Sequence, residues 1–226
     1  MTFLSKVTLK NNAGSGGALA DILRRSTNSV PGEHKLIWTL FGKSGDEQRD
    51  FLFRRGDREG WLVLSERMPN DAHEIWDIST REFSPKLTIG QRLNFLLRAN
   101  PMVSTRDAKG KRVKHDAIMM ARYDTKDAKG KRTPLNQVIP DASFEWLNHQ
   151  AQRSGFEIQR GEIYADGYVQ HRFPKTAHQT VSISSLDYKG VLTVTDVDKF
   201  QKTIRMGFGG GRAYGFGLMM ISRISE

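Results

Sequence analysis

The 226-residue chain contains no cysteine, which excludes disulfides and thiolate metal sites and fits a reducing cytoplasm. No apolar run approaches the roughly 18 to 20 residues needed to span a membrane. The N-terminus, Met1-Thr2-Phe3-Leu4-Ser5-Lys6, has no signal-peptide core and reads as the start of a strand. Catalytic signatures are scarce as well. The six histidines (His34, His73, His115, His149, His171 and His178) form no His-Glu-x-x-His pair, and no Gly-x-Ser-x-Gly elbow is present. With no acidic cluster at metal-ligand spacing either, the expectation is a protein without a metal or a small-molecule cofactor. Acidic residues are themselves in deficit, 25 Asp and Glu against 35 Lys and Arg. The resulting charge of +10 and pI of about 9.9 call for an acidic partner.

That charge is concentrated. Residues 101–135 hold ten cations against four anions, a surplus of six and more than half of the chain's excess. Within this segment the hexapeptide Asp-Ala-Lys-Gly-Lys-Arg occurs twice, at 107–112 and at 127–132. Each copy reads as a hairpin tip or loop whose cations suit phosphates. No basic amphipathic helix is evident, so nucleic acid is favoured over an anionic membrane.

A second concentration is glycine, with six in the eleven residues 207–217, interleaved with Arg212, Tyr214 and Phe216. Such a loop lets a polyanion approach backbone N–H groups, with a planar cation and stacking faces at hand. Position counts against a cofactor loop. A Rossmann fingerprint needs a following helix and an acidic residue about 20 positions on, yet nine residues follow Gly217. A Walker loop ends in Gly-Lys-Ser/Thr, whereas this one ends Gly217-Leu218-Met219.

Periodicity predicts strands over residues 3–10, 51–53, 61–64, 75–83 and 93–97, with helices over 18–25 and 33–41. Residues 56–60 suit a hairpin turn. In the second half, a helix over 142–153 is stopped by Gly155, and strands follow over 156–168, 179–186 and 191–194. Asp196 caps a helix running through Ile204, and residues 218–224 close the chain as an apolar segment. The pattern is α+β: two tandem ferredoxin-like modules, residues 1–97 and 98–226, the second carrying the basic segment and the glycine loop.

His34 stands out by its setting. Ser29 is a candidate N-cap and Pro31 suits an early helical position, so His34 falls in the first turns of a helix. There it is either a partly buried, hydrogen-bonded histidine or an acid–base group working beside a phosphate. His171 and His178 flank Arg172 and Lys175 and are either RNA-facing or ordinary surface residues.

Taken together, these stretches resemble the CasE family, the CRISPR-RNA-processing endoribonucleases of the Cascade complex. The resemblance is carried by Phe3-Leu4-Ser5-Lys6-Val7, by His34 with Trp38-Thr39-Leu40-Phe41, and by Arg49-Asp50-Phe51-Leu52-Phe53-Arg54. It continues through Gly90-Gln91-Arg92-Leu93, Leu97-Arg98-Ala99-Asn100-Pro101, Gly110-Lys111-Arg112-Val113, Gly190-Val191-Leu192-Thr193-Val194 and the glycine loop. Coverage is essentially the whole chain. The resemblance implies metal-independent cleavage of CRISPR precursor RNA at the 3′ base of a repeat stem-loop. The 2′-OH attacks, leaving 2′,3′-cyclic phosphate and 5′-OH ends, and the other Cascade subunits are partners. It makes His34 the catalytic acid–base and Lys35 a charge stabiliser. RNA contacts are expected from Arg98, Lys111, Arg112 and Lys114, and from Gly209, Gly210, Gly211, Arg212 and Tyr214 in the loop. Where the family carries a tyrosine three positions before the histidine, this chain has Pro31. A non-catalytic repeat-RNA-binding subunit is the alternative that this departure favours.

Overall fold

The computed structural model describes residues 1–10, 29–41, 49–56, 60–125, 130–176 and 179–224. The helix expected over 18–25, part of the second hexapeptide and His178 lie outside them.

The first half forms β1 (Phe3–Leu9), helix α1 (Val30–Trp38), β2 (Phe51–Arg55), β3 (Trp61–Ser65) and β4 (Trp76–Glu82). These strands build one antiparallel sheet in the order β2-β3-β1-β4. Gly56 N–H donates to Gly60 O at 3.0 Å across the expected β2–β3 turn. The two strands are apolar on both faces because both faces are covered. Phe51, Phe53, Trp61, Val63 and Val7 pack against Leu36, Ile37 and Leu40 from the α1 region. Leu4, Leu52 and Leu64, on the opposite face, join the core of the second half.

That second half comprises β5 (Arg92–Ala99), β6 (Met102–Arg106), β7 (Arg112–Asp116), α2 (Ala117–Asp124), α3 (Leu135–Ser154), β8 (Phe156–Thr176), β9 (Gln179–Val194), α4 (Val197–Met206) and β10 (Met219–Arg223). Its sheet runs β10-β5-β9-β8, again antiparallel throughout. Each sheet has the strand order of a βαββαβ module, so the chain is two tandem ferredoxin-like modules. In the first, the β3–β4 connection over residues 66–75 forms no helix. In the second, α3 and α4 supply Trp146, Leu147, Phe200 and Ile204 to the core.

The structure amends several expectations. The module boundary expected at 97–98 falls inside β5, and the whole of β5 pairs in the second sheet. The strands expected at 179–186 and 191–194 are one strand. Gly190 within it marks a close backbone approach, since a Cβ there would lie 2.2 Å from Glu162 O, beside a register shift in β8–β9. Helix α3 begins seven residues before the expected 142 and runs through Pro140. Caps behave as the sequence indicates: Asp196 accepts from Lys199 N–H at 3.0 Å, and Gly155 ends α3 at φ 77°. Among the described residues no helix is long and apolar enough to cross a membrane.

Candidate active site

Helix α1 owes its start to Ser29, whose side chain accepts from Gly32 N–H at 3.3 Å, and to Pro31 in the first turn. Glu33, favoured near a helix N-terminus, pairs with Arg55 of β2 at 2.6 Å. Leu36 and Ile37 turn into the core, which leaves His34 at the rim of the helix. One turn on, Trp38 Nε1–H donates to His34 Nε2 at 2.8 Å, the i,i+4 reach of a helix. The indole is held in turn by an edge contact with Phe51, ring centroids 5.0 Å apart. With Nε2 accepting, the proton of the neutral imidazole sits on Nδ1. Burial lowers the His34 pKa below the usual histidine range, and the positive charges of Arg49 and Lys35 push the same way.

Across from His34 lies Tyr214 of the glycine loop, its ring centroid 5.7 Å from the imidazole at 63°. The loop is a packed knot. Gly210 N–H donates to Asn100 O, Gly217 N–H to Arg98 O, and Phe208 N–H to Gly217 O. A Cβ on Gly209 would lie 2.7 Å from Asn100 O, and one on Gly211 would lie 2.8 Å from the Phe216 ring. Gly207 sits equally close to Leu52 of the first module. Arg212 folds back, its Nη1–H donating to Met206 O at 2.6 Å at the end of α4. The Gly210 amide, expected at RNA, is thus already used within the fold. The glycines are there because two modules and β5 converge on this loop.

Beside Tyr214 a groove of about 350 Å³ runs between the modules, lined by Ser29, Glu33, Arg55, Arg98, His171 and Ser185 among others. Arg98 makes a two-pronged bond to Asp187 at 2.8 and 2.6 Å. His171 Nε2 and Ser185 Oγ are hydrogen-bonded at 2.8 Å, and burial followed by the Arg98 charge lowers the His171 pKa. Arg49, at the entry to β2, has its Nη1 buried without a hydrogen-bond partner among the described residues. Burial, then the charge of Arg212, lowers its pKa. Among the described residues no group of three or more His, Asp or Glu stands where it would hold a metal.

Residues 2–223 match the sequence profile of a family described as CRISPR associated protein. The chain belongs to that family. Among curated relatives, the CRISPR-associated endoribonuclease Cse3 of Thermus thermophilus is 28% identical over 200 residues, covering 84% of this chain and 81% of its own. The CRISPR system Cascade subunit CasE of Escherichia coli is 29% identical over 195 residues, covering 84% and 89%. A solved structure of Thermus thermophilus Cse3, bound to an RNA representing a pre-cleavage complex, superposes at a TM-score of 0.68. It is 23% identical and covers 98% of both chains. Within the CRISPR associated family the similarity therefore runs to the CasE type.

In this CRISPR associated protein the sequence-derived site divides in two. His34, Lys35, Tyr214 and Arg212 converge where α1 meets the glycine loop, with Arg98 along the adjoining groove. Arg112 and Lys114 lie on the separate two-stranded β6–β7 sheet, and Lys111 lies in its turn. There Arg112 lies directly opposite Arg106, and Lys114 shares its face. Like charges opposed across a hairpin are unfavourable unless an anion joins them. Asp107 shapes the tip by accepting from Lys109 and Lys111 N–H groups, both at 2.9 Å. Sequence reasoning missed Trp38, Arg49 and the Glu33–Arg55 pair as parts of the site. The i,i+4 spacing of His34 and Trp38 was a readable signal; the approach of Arg49 was not.

Proposed function

We propose that the chain is an endoribonuclease of CRISPR RNA processing. It cleaves precursor RNA at the 3′ base of a repeat stem-loop without a metal, as a Cascade subunit. The observation that carries the reading is His34, a neutral, half-buried imidazole at the module junction with cations around it and a tyrosine ring against it. The relatives' names and the family membership support the substrate class.

In the reaction, the 2′-oxygen forms a bond to the adjacent phosphorus as the bond to the 5′-oxygen breaks. One proton leaves the 2′-OH and another reaches the departing 5′-oxygen. In the tautomer this hydrogen bond selects, Nε2 is the basic atom of His34, and the Trp38 N–H occupies it. A 2′-OH that displaces the indole as donor delivers its proton to that atom. With Pro31 in place of a tyrosine, the hydroxyl of Tyr214 is the candidate for the second proton transfer. Lys35 and Arg212 offset charge on the phosphorane, and Arg98 borders the RNA path. Lys111, Arg112 and Lys114 hold the stem through its backbone, since the deep major groove of A-form RNA hides its bases from side chains. The first module thus carries the histidine, and the second carries the basic hairpin and glycine loop.

Pro31 favours one competing reading, a repeat-RNA-binding subunit without catalysis. Cleavage of a repeat hairpin in EDTA separates the two. Cleavage by wild type, slowed at least a hundredfold in His34→Ala with hairpin affinity retained, upholds the enzyme. Tight binding with no cleavage by wild type upholds the binder.

A further inference from the structure

We propose that Arg49 is a catalytic residue, the guanidinium that receives the scissile phosphate beside His34. Its catalytic role rests on the cleavage reading above; its capacity to hold an anion does not.

The placement comes from β2. Two residues after Arg49, Phe51 meets the Trp38 ring at 5.0 Å, and Trp38 is bonded to His34 at 2.8 Å. In the same strand Leu52 packs under Gly207, and Phe53 packs under Gly215. Arg49 therefore enters the site just before a strand braced against both α1 and the glycine loop.

Among the described residues the carboxylates of this region are engaged elsewhere. Asp50 takes two bonds from Arg67 at 2.6 and 3.0 Å, and Glu33 is paired with Arg55 at 2.6 Å. Among the described residues the buried Nη1 of Arg49 has no acceptor, and Arg212 adds a second positive charge to the site. A buried guanidinium nitrogen without an acceptor costs stability. Arginine does not relieve that cost by losing its proton. A phosphate does relieve it, because its paired oxygens match the planar fork. During cleavage the non-bridging oxygens gain charge as the 2′-O–P bond forms and the P–O5′ bond breaks. A cation already fixed in a partly desolvated site stabilises that charge without reorganising. Arg49 neither gives nor takes a proton.

The test pairs Arg49→Met with Arg49→Lys. Free Arg49→Met should melt at or above the wild-type temperature, because a buried donor without an acceptor is removed. Inorganic phosphate, against chloride at matched ionic strength, should raise the melting temperature of wild type more than that of Arg49→Met. Single-turnover cleavage of a repeat hairpin should slow about a hundredfold in Arg49→Met and less in Arg49→Lys. Affinity for a hairpin with a 2′-deoxy group at the cleavage site should stay within about threefold, the loss falling on the transition state. Wild-type cleavage by Arg49→Met overturns the proposal. So does a lower melting temperature together with an unchanged phosphate response, which would make Arg49 structural. A wild type that does not cleave removes the catalytic part, and the phosphate comparison still decides the anion site.

Discussion

Replacing Gly217 with alanine tests whether the glycine loop is a packed knot or a flexible binder. Gly217 sits at φ 89°, and a Cβ there would lie 2.5 Å from Phe208 O and 3.1 Å from Phe208 N. Both neighbours are backbone atoms of a residue that is 1% exposed, so neither gives way easily. The left-handed conformation costs an L-residue roughly 1–2 kcal/mol, and forcing a methyl into a packed site costs roughly 1–3. Relief by backbone shift would weaken the 2.7 Å bond from Gly217 N–H to Arg98 O, worth roughly 1 kcal/mol. The expected loss is about 3–6 kcal/mol, or on the order of 10 °C in melting temperature for a chain of this size. Gly210→Ala is the control. Its nearest neighbour is the flexible Met102 side chain at 3.3 Å, and its φ lies outside the left-handed region. Reduced freedom in the unfolded chain offsets part of any crowding there, so a change within about 0.5 kcal/mol is expected. Urea denaturation followed by tryptophan fluorescence reads both variants. Equal, small effects at the two positions would refute the packed-knot account.

Two further outcomes follow from the site. Trp38→Phe removes a donor that favours neutral His34, so the His34 pKa should rise toward the ordinary histidine value. The acid limb of the kcat/KM profile, which reports the free enzyme, should then move to higher pH; an unmoved limb would mean that the indole does not govern the tautomer. By the same linkage the folded wild type binds fewer protons at this ring than the unfolded chain. It therefore loses stability as pH falls below the normal histidine range, and Trp38→Phe should lose less. Reversing Lys111 and Arg112 to Glu should weaken hairpin binding and flatten the dependence of log affinity on log salt by about 0.7–0.9 per lost phosphate contact. A titration with unchanged slope would remove β6–β7 from the RNA path.

Much of the fold was legible locally because local forces decide it. Ser29, Asp196 and Gly155 mark helix ends through bonds and backbone angles that reach only a few residues. Strand β5 alternates cleanly because one face meets the core and the other solvent. Strand β9 was read as two because the approach of Gly190 to Glu162, 28 residues earlier, is invisible to periodicity. Helix α2 was missed because eight residues after a charged hairpin carry little pattern. At the site, His34 could be singled out through its cap and the family resemblance, yet the state of its imidazole depends on burial that no local pattern reports.

By itself, then, the sequence determined the basic character of the chain, the capped position of His34, the α+β pattern and the family. Those properties reside in residue types and short spacings. Only the tertiary structure decided that Arg98 is tied to Asp187, 89 positions away, and that the Gly210 amide belongs to Asn100. It alone brought Arg49 and Tyr214 to one histidine, with Arg212 beside Arg49. Desolvation and pairing depend on which surfaces meet, and these surfaces meet where the two sheets share one core.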